Sequence, residues 1–178
     1  MRETKKAILE LEDGTVFEGK SFGFEKACSG EVVFNTAMTG YPESLTDPSY
    51  EGQVLVTTFP LIGNYGVPPK EEQDGVARYF ESSRIHCEAI VCQDYSWEYS
   101  HWLAEESLSD WLKREQVVGV YGIDTRALTK LLREKGSMLG RIFIEGAEKP
   151  EFYDPNKENL VAKVSCKKVE TYGDGDKT

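Results

Sequence analysis

Gly30-Glu-Val-Val-Phe-Asn-Thr-Ala-Met-Thr-Gly-Tyr-Pro-Glu-Ser-Leu-Thr-Asp-Pro-Ser-Tyr50 is a short apolar strand running into a segment crowded with special backbone positions. Glu31 to Asn35 reads as the strand, and Gly40, Pro42 and Pro48 follow closely. Proline fixes φ and stops a strand, while Gly40 tolerates dihedrals closed to other residues. This pattern predicts that Ala37, Met38 and Ser49 are held in fixed places outside any regular element. A merely structural loop seldom needs so much restraint, so the stretch marks a site.

Outward from it, Ala7 to Glu12, Asp13-Gly14 and Thr15 to Gly19 predict a β-hairpin on a two-residue type I′ turn. Val54 to Phe59, Ile85 to Gln93, Val117 to Tyr121 and Arg141 to Ile144 read as further strands, and Pro60 to Pro69 as a long Gly/Pro-punctuated loop. Two helices are clear. Ser107 to Glu115 places Leu108, Trp111 and Leu112 at i, i+3, i+4 with serines to cap it. Asp124 to Gly136 has a capping Asp124, a leucine face (Leu128, Leu131, Leu132) and a closing Gly136. Strand, helix, strand over 117–144 predicts a crossover unit, whereas the start of the chain reads as an antiparallel meander. The expectation is one mixed α/β domain with two sheets over residues 1–150, followed by linker composition over 151–178.

Bulk properties exclude several classes. With 178 residues the chain is one ordinary domain and needs no staple to bury a core. Lys and Arg total 21 against 31 Asp and Glu, a net charge of −10. That field repels nucleic acid and anionic lipid, so neither is expected as a partner. No apolar run approaches the roughly 20 residues of a membrane span. The N-terminus carries neither a signal-peptide nor a transit-peptide pattern, and a cytoplasmic location is expected. Cys28, Cys87, Cys92 and Cys166 form no CxxC pair, which suits a reduced protein with packing cysteines. On one strand of 85–93, Cys87 and Cys92 would face opposite sides and could not share a metal.

The chemical census is thin. The chain has no GxxxxGK[ST], GxGxxG or GxSxG, so phosphate-cradling and nucleophile-elbow arguments have no footing. His86 and His101 read as packing or surface histidines, and the GDGD near the C-terminus lacks a calcium loop's spacing and terminal Glu. Arg126, Lys130 and Arg133 fall on one helical stripe opposite the leucines; the bland reading is a solvated face, the alternative a docking surface for an acidic partner. On residue chemistry alone Ser49, after Asp-Pro, is a turn hydroxyl, and Ala37 and Met38 are core residues. No nucleophile can be named.

Several long motifs, taken together, resemble the N-terminal domain of the small subunit of glutamine-hydrolysing carbamoyl-phosphate synthase. They are Glu31 to Tyr50, Pro60-Leu-Ile-Gly-Asn-Tyr-Gly66, Phe80-Glu-Ser-Ser-Arg-Ile-His86 and Gly122 to Gly136, with the opening Leu-Glu-Asp-Gly-Thr. The likeness runs in order over roughly residues 7 to 146, and Leu160 to Val164 is set against the strand that leads onward in the family. The resemblance implies a swivelling β/β/α domain, with one parallel and one antiparallel sheet and helices packed on one side. It implies that 151–178 leads toward a class I glutamine amidotransferase domain, whose Cys–His–Glu triad is not matched in these residues, so no catalytic residue and no cofactor are expected here. ATP and magnesium are implied on the large subunit, which is the expected partner. The implied overall reaction makes carbamoyl phosphate from glutamine, bicarbonate and ATP for pyrimidine and arginine synthesis. Residue by residue, Ser49 matches the family serine that contacts bound glutamine, which reverses the turn reading. Ala37 and Met38 match positions lining the ammonia passage, though some members have Ser at position 37. The alternative of a different class is a pure interaction module with no part in glutamine binding.

Overall fold

In the computed structural model, which describes residues 4–173, β1 (Lys6–Leu11) and β2 (Val16–Ser21) form the expected antiparallel hairpin. Most of the GDGD sequence, and the first three residues, lie outside the described residues. The hairpin turn differs from expectation. Leu11 N–H donates to Thr15 O, Gly14 N–H to Leu11 O, and of Asp13 and Gly14 only the glycine takes positive φ, at 83°. The Asp13 carboxylate instead accepts the Thr15 N–H at 2.9 Å, so the loop is three residues closed by a left-handed glycine.

The decisive stretch is a crossover. β3 (Cys28–Asn35) leads into α1 (Tyr41–Thr46) and a one-turn 3-10 helix, Pro48–Tyr50, and the chain returns as β4 (Gln53–Thr57), parallel to β3 with Val32 beside Val54. The expectation of irregular backbone holds for Ala37 and Met38 but not for Ser49, which sits inside the 3-10 turn. The prolines that forbid a strand occupy the first turns of both helices, where a missing N–H costs nothing.

The remaining elements are β5 (Leu61–Ile62), β6 (Glu72–Gln73), β7 (Val76–Ala77), β8 (Ala89–Val91), β9 (Asp94–Tyr95), α2 (Leu108–Arg114), β10 (Val118–Tyr121), α3 (Thr125–Lys135), β11 (Met138–Ile144) and α4 (Leu160–Val164). Seven strands close into a barrel in the order β1, β11, β3, β4, β8, β10, β2. Its β3–β4–β8–β10 portion is parallel and its β2–β1–β11 portion antiparallel. Rather than two separate sheets, the halves are joined, because β11 pairs with β3 and β2 pairs with β10. β10 and β11 are not neighbours and run in opposite directions, so the parallel crossover expected there is found after β3 instead.

Val54, Leu55 and Val56 of β4 are all fully buried, as parallel strands covered on both faces must be. Alternation splits them. Val54 and Val56 share a cluster with Leu9, Val32, Leu128 and Leu132, and Leu55 shares one with Leu45, Ile90, Trp111 and Leu112. α3 therefore covers one face and α1 with α2 the other, which corrects the expectation of helices on one side. Each fully buried Leu or Val contributes about 1.5–3 kcal/mol. The predicted strand Ile85 to Gln93 shrinks to Ala89–Val91, and Cys87 and Cys92, lying just outside it, pack into the same cluster rather than opposite ones. Leu160 to Val164 is a helix, not a strand, because Asn159 caps it by accepting the Ala162 N–H at 2.9 Å.

Candidate functional site

The crossover between β3 and β4 is braced by groups remote in sequence. Gly40 takes φ 86° and starts α1, and no side chain of the helix's own N-terminus caps it. Tyr65 does that work: its hydroxyl accepts the Gly40 N–H at 2.7 Å and the Tyr41 N–H at 3.1 Å. The two rings stack at 4.3 Å, and Tyr41 donates to Gly66 O at 2.7 Å. At the other end Asp47 accepts the Ser49 N–H at 2.8 Å, and Asn35 holds the exit from β3 by accepting the Ala37 N–H at 2.7 Å.

A buried ionic network locks the return to β4. Glu51 and His86 side chains are 6% and 4% exposed, with Nδ1 2.6 Å from Oε2. Arg84 reaches the same carboxylate at 2.8 Å and Lys163 at 3.2 Å. Burial alone would raise the Glu51 pKa, but the bonds from His86, Lys163 and Arg84 outweigh it and hold the carboxylate below its usual range. Ser82 Oγ lies 2.9 Å from His86 Nε2, so carboxylate, imidazole and hydroxyl stand in the order of a nucleophilic triad. The hydroxyl, however, also lies 2.7 Å from Thr46 O and 3.1 Å from Arg84 O, carbonyls that can only accept, so its proton has backbone partners besides the imidazole. The cluster is a brace. It ties residues 82–86 and the segment bearing α4 to the crossover, and no short motif announced it.

Against this rigid frame, the sequence-predicted residues are free. Met38 is 69% exposed, Ala37 and Ser49 are exposed, and the Ser49 hydroxyl makes no hydrogen bond among the described residues. The expectation of Ala37 and Met38 as core residues is thus overturned: the chain has already left β3 and turns outward there. The structure brings Ala37 and Met38 together with Asn35, Ser44 and Thr57 around one shallow dent, which does not include Ser49. Cys28, Cys87 and Cys92 are buried, and burial pushes their thiols up, to about 12 for Cys28, so none is poised as a nucleophile. His101 is exposed, with Nδ1 accepting the Leu103 N–H at 3.2 Å. No helix among the described residues is long and apolar enough to cross a membrane.

The sequence profile of the carbamoyl-phosphate synthase small chain, CPSase domain, matches residues 9–142. The chain belongs to that family. It is 55% identical to the multifunctional protein pyr1-3 of Dictyostelium discoideum over 94% of this chain and 8% of that protein. It is 54% identical to the carbamoyl phosphate synthase arginine-specific small chain of Eremothecium gossypii over 93% of this chain and 42% of that one. It is also 50% identical to the human mitochondrial carbamoyl-phosphate synthase [ammonia] over 97% of this chain and 12% of that protein. The chain therefore spans less than half the length of each of these relatives, and within the family it corresponds to the N-terminal domain of the small chain.

Proposed function

We propose that this domain serves carbamoyl-phosphate synthesis without carrying out the chemistry itself. It docks the large subunit, lends Ser49 to glutamine held by an adjoining amidotransferase domain, and lines part of the ammonia passage with Ala37 and Met38. The overall synthesis joins nitrogen from glutamine to bicarbonate at the expense of ATP, with ATP and magnesium on the large subunit. The closed barrel is read as a form of the swivelling β/β/α arrangement whose two sheets have merged, and the compartment as cytoplasmic.

The observation that supports this reading is the contrast within the crossover. Its backbone is fixed by Tyr65, Asp47, Asn35 and Glu51, yet Met38 and the Ser49 hydroxyl are left unused. Rigid presentation of unused groups is what a surface completed by a neighbouring domain requires. An uncharged lining such as Ala37 and Met38 offers ammonia neither a proton nor an ionic partner. In the intact synthase, Ser49→Ala is expected to raise KM for glutamine while ammonia-dependent synthesis stays normal. Equal loss with both nitrogen donors would contradict the assignment.

A second reading rests on the ammonia-using relative: the same domain then only docks, and Ser49 is a turn residue. Unchanged glutamine kinetics in the Ser49→Ala synthase would favour it.

A further inference from the structure

We propose that the cavity between α3 and the carboxyl ends of β3, β4 and β8 binds a small phosphate-bearing anion. It has a volume of about 420 Å³, within the roughly 300–1,000 Å³ of small-molecule sites. Arg126, Lys130 and Arg133 line it from the helix, and Thr36, Thr58 and Gln93 from the strand ends. The position alone is suggestive, since ligands of α/β sheets collect outside the carboxyl ends of parallel strands.

Charge carries the argument further. Among the described residues no carboxylate lines the cavity, and none of the three cations has an ion pair or hydrogen bond. In a chain with ten more acids than bases this is unusual. Lys135, two residues beyond Arg133, pairs with Asp13 at 2.7 Å, and in a separate cavity of about 530 Å³ beside α2 Arg114 is neutralised by Glu106 at 2.6 Å. Placing three cations at i, i+4 and i+7 on one helix face costs stability through repulsion, a cost that a bound anion would cancel. Thr129 also lines the cavity, and its Oγ1 is buried with no partner among the described residues. A buried hydroxyl is seldom left unpaired.

Chemistry selects phosphate over a simple carboxylate. Two guanidinium forks and an ammonium, with the Thr36 hydroxyl beside them, offer more donors and more positive charge than one carboxylate uses, and match a phosphoryl group bearing two or more negative charges. The inference stands independently of the role proposed for Ser49, although Thr36 of the cavity directly precedes Ala37.

The test is calorimetric titration of the full chain with inorganic pyrophosphate at near-physiological salt. Saturable one-to-one binding is expected, with a matching rise in thermal midpoint. The double substitution Arg126→Gln with Arg133→Gln should weaken it by at least roughly tenfold, while Lys113→Gln, on exposed α2 surface, should not change it. The substituted side chains are exposed, so both variants should fold, and their unliganded thermal midpoints check this. Absence of saturable binding overturns the proposal, as does binding that survives the double substitution. A glutamate-rich peptide that binds through the three cations where pyrophosphate does not would also overturn it, making the groove a docking face for an acidic segment.

Discussion

The crossover between β3 and β4 and the helix α3 both pack their apolar side chains into a core, yet they are stabilised in opposite ways. α3 is self-contained. Asp124 caps it by accepting the Ala127 N–H at 2.8 Å, Leu128 and Leu132 bury one face, and Gly136 ends it at φ 93°. The crossover is held from outside, by Tyr65, by the His86 cluster and by Lys163 of α4. The lesson is that a segment braced by distant groups has its own side chains left over for another surface, whereas a self-sufficient helix spends its apolar face on the core and keeps only its charged stripe.

The sharpest way to break the comparison is to remove the brace. Glu51→Gln leaves Arg84, Lys163 and His86 without their carboxylate, at a cost of about 3 kcal/mol for disrupting a largely buried pair. Denaturant unfolding should show a lower midpoint with an unchanged slope. The sign of the pH dependence follows from the depressed Glu51 pKa: its stabilisation is present above the ordinary carboxylate value of 4.5 and fades as pH falls below that. The Glu51→Gln chain should lose that part of its acid sensitivity, and an unaltered acid profile would show that the carboxylate is not held by the cluster.

A smaller effect is expected at the other end of the crossover. Tyr65→Phe strips the acceptor from the Gly40 and Tyr41 N–H groups, for a loss of about 1–3 kcal/mol. Hydrogen exchange should speed up in Tyr41–Thr46 and leave Thr125–Lys135 as slow as before. The smallest effect belongs to α3: Asp124→Ala removes one cap and should cost about 1 kcal/mol. Its increased exchange should be confined to the first turn of that helix. If Asp124→Ala loosened the crossover too, the separation of the two regions would fail.

The same contrast explains what could be read from the chain. The capping Asp124, the leucine spacing and Gly136 foretold α3 because its stabilising groups lie within it. The first hairpin was equally local, although Asp13 preferred to bond Thr15 and so lengthened the turn. α1 escaped notice because six residues around Pro42 carry little helical signal; Leu45 packing and the Tyr65 hydroxyl make it a helix. Glu51 and His86 meet across 35 positions, and the strand-end cavity gathers residues from Thr36 to Arg133, so neither had a local signature. Barrel closure was hidden for the same reason, since β11 with β3 and β2 with β10 are pairings of distant segments. The Gly/Pro pattern marked the stretch that bears Ser49, Ala37 and Met38, but the roles proposed for them come from family resemblance, since their own chemistry read the first as a turn and the others as core.

The claim that the crossover presents a surface for a neighbour to cover is tested most directly at Met38. Hydroxyl-radical footprinting should oxidise this side chain readily in the 178-residue chain, where it is 69% exposed. In the assembled synthase it should be strongly protected, while Trp102, 86% exposed, serves as an internal reference. Oxidation of Met38 at the same rate in both samples would contradict the account.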